Sequence, residues 1–287
     1  MGSASTGLEA FTLPEFKLTE PPNPNFKIGQ KVETTEEGKA WLEGEKAGWT
    51  QLKPDDVESW QLYKLMISGI TPRPVAFVSS ISDTGDENLA LFSWFNMVTH
   101  SPPLVSIAVS SPGVGKDGLK DTAYNIRATK QFTVSIISEP WVQNANVCSV
   151  DAPSDVNEWL ISGLTKAPSI HVKPARVKES AFSMECELFQ DTDIFHPATG
   201  ERTSTLILGL VKYFHIRTDM LNERGTVDPA KFMPVGRMGD IMYGSLRGGY
   251  RISRPVWKVD GETIREFIKT AEGSEVEVAA IPKETIQ

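Results

Sequence analysis

Hydrophobic and polar positions along the middle of the chain predict a series of antiparallel strands. Residues 182–188, FSMECEL, alternate apolar and polar side chains, which is typical of a strand with one buried and one solvated face. This pattern places Glu185 and Glu187 in solvent. Further strands are predicted over residues 74–81, 104–110, 132–138 and 203–216, and residues 88–99 form another apolar and aromatic segment.

Helices are predicted around this strand-rich region. They cover residues 35–47, 54–66, 120–129, 140–148, 154–162 and 261–271. Long antiparallel strands with few long helices between them disfavour a parallel doubly wound sheet. We therefore predict a mainly β fold, a closed or nearly closed barrel with peripheral helices. The predicted domains are an N-terminal arm and helix (residues 1–50), the barrel (51–258), and a C-terminal helix and tail (259–287).

The first part of the arm, residues 1–34, is rich in proline and shows little periodicity. Such a segment cannot fold alone, so it is either loose or held by docking. Because it carries apolar residues such as Leu8, Phe11 and Leu18, we expect it to dock, most plausibly across a homodimer.

Composition and charge narrow the class of protein. The 287 residues include 29 Lys and Arg against 37 Asp and Glu, a net charge of −8, which disfavours nucleic acid as a partner. The sequence contains neither an apolar run long enough to cross a membrane nor a secretory signal. Two cysteines cannot form a disulfide framework. We expect a cytoplasmic protein with no membrane partner.

Histidine and cysteine positions favour neither a metal site nor a protein nucleophile. The four histidines are scattered without metal-ligand spacing, and His215 is expected to pack in the core. Cys186 is also expected in the core, whereas Cys148 lies among polar helical residues and could react. We therefore assign no catalytic side chain and no metal ligand.

A glycine motif at residues 113–118 imitates a dinucleotide-binding turn. Gly113, Gly115 and Gly118 form a literal G-x-G-x-x-G after a predicted strand. In a dinucleotide-binding unit the last glycine lies in a long apolar helix that packs flat on the sheet. Here the following helix begins only near residue 121, lasts about two turns and is polar. A glycine loop is the better interpretation.

The start of that helix is a candidate anion site. Lys120 and the hydroxyl of Thr122 stand beside backbone N–H groups that have no helical acceptor. A ligand phosphate is the natural occupant of such a site. Asp121 belongs to the same segment, although it could equally serve to cap the helix.

Four motifs in order resemble the flavin reductase-like FMN-binding split-barrel family, the flavoredoxin group. They are TPRPVAFVSS (71–80), NLALFSWF (88–95), SPPLV (101–105) and KDTAYNI (120–126). Leu91 and Ser101 stand where the family carries a proline and an aspartate, both close to the flavin ring. The resemblance covers about residues 60–250 and implies an FMN-binding split β-barrel, usually a homodimer.

The resemblance also implies which residues bind the cofactor FMN. Lys120 and Thr122, with Asp121 and Arg73, are expected at the phosphate. The other expected binding residues are Ser79, Ser80 and Ser110 for the phosphate or ribityl oxygens, and Asn88, Ala90 and Ser93 along the ring edge. Of the neighbouring aromatic residues, Trp94 is expected to pack in the core rather than to stack on a ligand.

The function that this resemblance implies is an FMN-dependent oxidoreductase, similar to NAD(P)H:flavin reductases. Its partners would be NAD(P)H and a small-molecule electron acceptor. One alternative is an FMN enzyme acting on a specialised metabolite on the same fold. Another is a flavin or haem-like binding protein without turnover.

Overall fold

Strands in the middle of the chain pair into one antiparallel sheet. In the computed structural model, which describes residues 8–13, 15–111, 115–153 and 155–272, the sheet has seven strands in the order β4-β3-β7-β10-β11-β6-β5. In chain order the strands are β1 (Lys17–Thr19), β2 (Arg73–Pro74), β3 (Ala76–Ile81), β4 (Glu87–Phe92), β5 (Phe95–His100), β6 (Pro103–Ser110), β7 (Gln131–Ile136), β8 (Lys166–Ala167), β9 (Arg176–Val177), β10 (Phe182–Phe195), β11 (Arg202–Ile216), β12 (Val235–Arg237), β13 (Tyr243–Ser245) and β14 (Gly248–Tyr250).

The sheet curls because its two edges are consecutive in the chain. The edge strands β4 and β5 are separated only by Ser93 and Trp94, so the first and last strands must approach each other. The result is the nearly closed barrel that the sequence predicts. Its interior is filled by buried side chains such as Val78, Ile107 and Phe132.

The described residues form seven α-helices. They are α1 (Glu36–Leu42), α2 (Ser59–Gly69), α3 (Asp121–Thr129), α4 (Val142–Asn146), α5 (Glu158–Ser162), α6 (Pro229–Phe232) and α7 (Trp257–Glu272). Buried side chains of α3 join the barrel core, whereas those of α4 and α5 form a second apolar cluster with β3 and β4. The helix predicted from residue 54 begins as a short 3-10 turn, Pro54–Asp56, and α2 starts only at Ser59.

Glu185 corrects the prediction made from the alternating pattern. Its side chain is fully buried, and four consecutive residues of β10, from Ser183 to Cys186, are buried together. Glu185 is buried because β10 lies in the interior of the sheet, between β7 and β11. Its carboxylate also accepts hydrogen bonds from the backbone N–H groups of residues 170–172, which cover it. Glu187 remains partly exposed, as predicted, with its side chain 37% accessible.

The chain divides into two compact units. The first comprises Pro54–Arg247 with the segment up to Phe16, and the second comprises Lys17–Lys53 with the segment from Gly248 on. Within the second unit, β1 pairs in parallel with β14. The domain division at residues 50 and 258 stays a prediction, and residues 1–7 of the predicted arm and 273–287 of the predicted tail lie outside the described part. None of the helices in the described residues is long and apolar enough to cross a membrane.

Candidate functional site

The start of α3 presents a cation beside free backbone donors. Lys120 is the N-cap residue in an extended conformation (φ −75°, ψ 151°), and α3 begins at Asp121, where the motif predicts it. The first N–H groups of a helix have no acceptor within the helix. Lys120 is exposed, and across the described residues no hydrogen bond or ion pair engages its ammonium group. This end of α3 can therefore receive an anion.

A buried polar network fixes α3 against the sheet. The side-chain amide of Asn88 donates to Thr122 Oγ1 at 2.8 Å and to Ser80 Oγ at 3.5 Å. The amide of Asn125, one turn further along α3, also donates to Ser80 Oγ at 3.2 Å. Each of these four side chains is buried. Because Thr122 Oγ1 accepts from Asn88, the hydroxyl proton of Thr122 is left to donate elsewhere.

Two cavities meet at Lys120. The first, of about 340 Å³, contains five predicted site residues: Asn88, Ala90, Lys120, Asp121 and Thr122. The second, of about 210 Å³, contains Ser93, Ser110 and again Lys120. Leu91 and Phe92 line both cavities as well. The structure thus brings seven of the ten predicted site residues to one continuous region.

Ser79 and Ser80 lie beneath this region instead of lining it. They are only 2% and 0% exposed. Ser80 accepts the two amide hydrogen bonds described above, so it supports Asn88 and α3 from below. The sequence predicts direct contacts of both hydroxyls with phosphate or ribityl oxygens; neither residue lines either cavity, and these contacts stay a prediction.

Arg73 donates mainly to main-chain oxygens and does not line either cavity. Its guanidinium donates to the carbonyl oxygens of Ile67, Ile70 and Met238, the last two at 2.9 and 3.1 Å, and to Ser93 Oγ at 3.3 Å. Burial lowers the pKa of Arg73. These bonds occupy the fork of the guanidinium, and a contact of Arg73 with a phosphate stays a prediction.

Three carboxyl groups line the first cavity, those of Asp121, Asp151 and Glu158. Burial is the main cause of a raised pKa at both Asp121 and Glu158, and a hydrogen bond from the backbone N–H of Leu89 to Glu158 Oε2, at 3.2 Å, partly opposes the rise at Glu158. The place of Glu158 beside the cavity was not predicted from the sequence. Asn125 was also missed, although its spacing of three residues from Thr122 puts both on one face of the helix.

The structure also shows the surroundings of four other residues that the sequence analysis singled out. Trp94 is 42% exposed at the second cavity, so the prediction that it packs in the core is wrong. Cys148 is buried, and burial is the main cause that raises the pKa of its thiol to about 12, which contradicts a reactive role. Cys186 is buried in the core, as predicted. His215 packs against the fully buried Glu185, with its Nε2 2.6 Å from Glu185 Oε1.

The glycine motif belongs to a loop and not to a dinucleotide-binding unit. The helix that follows it, α3, has nine residues, and every strand pair in the seven-stranded sheet is antiparallel. Gly118 has a positive φ of 65°, whereas Gly113 lies outside the described residues. A short polar helix beside an antiparallel sheet cannot provide the flat helix–strand packing that a dinucleotide fingerprint needs.

Solved structures share this architecture. Nitrilotriacetate monooxygenase component B from Bacillus cereus is 29% identical, with a TM-score of 0.66 over 72% of this chain and 99% of that one. The 2-nitrobenzoate 2-nitroreductase NbaA from Pseudomonas fluorescens is 26% identical, with a TM-score of 0.63 over 72% and 98%. A protein assigned as a flavin reductase with a split barrel domain, from Shewanella frigidimarina, is 17% identical, with a TM-score of 0.60 over 72% and 99%.

The fold is therefore a split barrel with peripheral helices. The model of the flavin reductase-like domain matches residues 68–234, which include β3 to β11, α3 and all ten predicted site residues. With more than half of its length in that match, the chain belongs to the flavin reductase-like domain family.

Proposed function

We propose that the protein is an FMN-dependent oxidoreductase that takes electrons from NAD(P)H and passes them to a small-molecule acceptor. The observation that carries this proposal is the ammonium of Lys120 at the start of α3, which has no hydrogen-bond or ion-pair partner among the described residues and lies where two cavities meet. When bound, FMN supplies a ring that accepts two electrons and returns them to an acceptor.

The residues around Lys120 fit a ligand that has a dianionic end. Lys120 would provide the charge, Thr122 its hydroxyl proton, and Asp121 its main-chain N–H instead of its carboxylate. Ala90 and Ser93 lie along β4 and its end, where the backbone can follow the edge of a flat ring. Ser110 reaches the second cavity from the end of β6. Asn88 would act through Thr122, which it holds in place.

The acidic lining of a neighbouring cavity favours FMN over FAD as the cofactor. A third cavity, of about 270 Å³, adjoins the first at Asn88 and Asp121 and is lined by Asp83, Asp86 and Glu87. The one lysine of that cavity, Lys116, donates to the hydroxyl of Tyr124 at 2.5 Å. A second phosphate placed there would meet carboxylates, so a ligand ending in a single phosphate fits better.

The structure-based similarity to NbaA favours a second candidate on the same fold. That protein is a nitroreductase and is 26% identical over nearly its whole length. Trp94 and Tyr63 both expose aromatic surface at the second cavity, where a flat organic acceptor could stack. The second candidate is therefore an FMN enzyme that reduces one specific aromatic metabolite.

A homodimer is part of this proposal. Apolar side chains of the first unit are widely exposed, among them Trp60 (56%), Met66 (59%) and Met97 (67%). In the arm, Leu8 and Phe11 are exposed as well. Aromatic and methionine side chains are enriched at association sites. Sedimentation analysis of a variant lacking residues 1–33 tests the arm: weaker association supports docking across a dimer, and an equally tight dimer rules it out.

Substitution of Lys120 tests the proposed site and function together. NAD(P)H oxidation is measured with FMN, riboflavin and FAD as flavins, in the parent and in Lys120→Ala. Loss of a charge-assisted bond worth about 1.5–3 kcal/mol corresponds to a roughly ten- to hundredfold weaker affinity for FMN. Riboflavin has no phosphate, so its affinity should not change.

Lys130→Ala is a suitable control for Lys120→Ala. Lys130 is the exposed residue at the other end of α3. Equal FMN affinity in the parent and in Lys120→Ala would remove Lys120 from the site. A protein that binds flavin but oxidises neither NADH nor NADPH would instead be a carrier.

A further inference from the structure

The loop that precedes α3 has an uncommon backbone conformation. Asp117 lies in the left-handed region (φ 58°, ψ 22°), and Gly118 follows it with a φ of 65°. A residue with a Cβ rarely adopts this conformation unless its surroundings hold it there. The loop is closed by a hydrogen bond from the N–H of Gly115 to the carbonyl oxygen of Leu119, at 3.1 Å. These residues therefore determine where Lys120 stands.

Arg202, the first residue of β11, binds this loop. Its Nη2 donates to the carbonyl oxygen of Asp117 at 2.7 Å. Its Nη1 lies 3.6 Å from Asp193 Oδ2, and both side chains are about four-fifths buried, with 23% and 22% accessible. A guanidinium can serve two partners at once because its donors form a rigid fork. Arg202 thereby connects the left-handed residue of the loop to a strand of the sheet.

Asp193 connects the same arrangement to α3 itself. Arg127, in the last turns of α3, donates from Nη2 to Asp193 Oδ1 at 2.9 Å and from Nε to Asp191 Oδ2 at 2.7 Å. Thr205 Oγ1 donates to Asp193 Oδ1 at 2.7 Å. One carboxylate therefore ties α3, through Arg127, and the loop before α3, through Arg202, to the β10–β11 pair.

The charges in this cluster balance one another. Burial favours a higher pKa for Asp193, but the hydrogen bonds from Arg127 and Thr205 and the charges of Arg127 and Arg202 outweigh it, so its pKa lies below the ordinary value. Two guanidinium groups thus face two carboxylates, Asp191 and Asp193. The cluster has no spare charge for a ligand, and any influence on binding must pass through the backbone that it holds.

We propose that Arg202, anchored by Asp193, is a positioning residue for phosphate recognition, because it holds Asp117 and thereby sets the place of Lys120 at the start of α3. This inference rests on the proposed function, since it requires a phosphate at Lys120. Arg202 lies at the start of β11, beside the loop, and lines neither cavity.

Flavin affinities of the apo-protein test this role, measured by quenching of FMN and riboflavin fluorescence. Arg202→Gln removes the charge and is too short to reach both partners. FMN should bind about three- to tenfold more weakly, a loss of roughly 0.7–1.4 kcal/mol, and riboflavin should bind within twofold of the parent. Arg202→Lys keeps a cation beside Asp193 and should recover part of the loss.

Glu187→Gln is the matched control. Glu187 lies on the same strand as Asp193, and its carboxylate also forms an ion pair, with Lys212 at 3.3 Å. This variant should leave both affinities unchanged. If Arg202→Gln does not fold, Arg202→Lys carries the test, since one ammonium cannot reproduce the fork and FMN affinity alone should fall about threefold.

Parallel measurement of Lys120→Ala separates the two proposals. If Lys120→Ala leaves the ratio of FMN to riboflavin affinity unchanged, the proposed phosphate site is wrong and the positioning role is wrong with it. If Lys120→Ala changes the ratio and neither Arg202 variant does, the site stands and the positioning role is refuted. An equal loss of FMN and riboflavin affinity in the Arg202 variants would show a general structural role and would also overturn the inference.

Discussion

Glu185→Gln should destabilise the protein strongly, although the sequence pattern places this residue in solvent. Each carboxylate oxygen of Glu185 accepts two hydrogen bonds. Oε1 accepts from the N–H of Ile170 at 2.8 Å and from His215 Nε2 at 2.6 Å, and Oε2 accepts from the N–H groups of His171 and Val172 at 2.6 and 3.0 Å. A glutamine keeps the shape but has only one acceptor oxygen.

The size of the stability loss depends on which hydrogen-bond donors lose their acceptor. The amide nitrogen of the glutamine is best placed at Oε1, because His215 can switch tautomer and accept from it. The N–H of Ile170, whose bond to Glu185 is only partly buried, then has no acceptor, which costs about 1–3 kcal/mol. The two bonds that remain become neutral and lose about 1 kcal/mol each. The expected loss in the free energy of unfolding is about 3–5 kcal/mol, the range for breaking a buried pair.

Urea unfolding measures this loss, with Glu187→Gln as the control. Glu187 lies two residues away on the same strand, is 37% accessible and pairs with Lys212 and His171. An exposed pair of this kind contributes at most about 1 kcal/mol. Linear extrapolation to zero urea gives both values. Equal unfolding free energies of the two variants would refute the reasoning.

The pH dependence of the same variant gives a second check. Burial favours a raised pKa for Glu185, but the hydrogen bonds from Ile170, His171, His215 and Val172 outweigh it, so that its pKa is lowered. An acid with a lowered pKa in the folded state stabilises the protein above its unfolded pKa of about 4.3, and this contribution is lost as pH falls through the folded pKa. The stability gap between parent and Glu185→Gln should therefore be constant above about pH 5 and narrow in more acidic buffer.

Three further predictions follow from close contacts and burial. Gly209→Ala should lose about 1–3 kcal/mol of unfolding free energy by calorimetry, because its Cβ would lie 2.4 Å from the ring of the fully buried Phe132; an unchanged melting temperature would contradict this packing. Gly115→Ala should bind FMN several-fold more weakly in a fluorescence titration, since its Cβ would lie 2.6 Å from the carbonyl oxygen of Leu119; unaltered affinity would mean that the loop does not position Lys120. Cys148 should resist iodoacetamide at neutral pH in the native protein and react in urea, because its thiol is buried and only the thiolate reacts. Mass spectrometry measures the labelling, and rapid labelling of the native protein would contradict this burial.

The parts of the fold and site that sequence predicts well are those set by local signals. The order of strands and helices, the start of α3 at Asp121 and the exposed Lys120 all follow from short motifs and periodicity. The candidate anion site could be predicted because a helix start carries its own free donors, whatever packs around it.

The parts that could not be predicted depend on contacts between distant segments. Glu185 alternates with apolar residues, but the segment at residues 170–172 covers the face that alternation alone assigns to solvent. Arg73 lies in a family motif, but its guanidinium donates a hydrogen bond to the carbonyl oxygen of Met238, which is 165 residues away in the chain. Trp94 lies where the curled sheet joins its edges, a position that no local pattern reveals.

The central claim is that this chain binds FMN and uses it to move electrons from NAD(P)H. Anaerobic addition of NADH or NADPH to the FMN-loaded protein, followed by absorption in the visible range, tests that claim most directly. The account predicts that at least one nucleotide bleaches the flavin absorption within seconds, and that air or an added acceptor restores it. A flavin spectrum that stays unchanged with both nucleotides would contradict the proposed function and favour a binding protein without turnover.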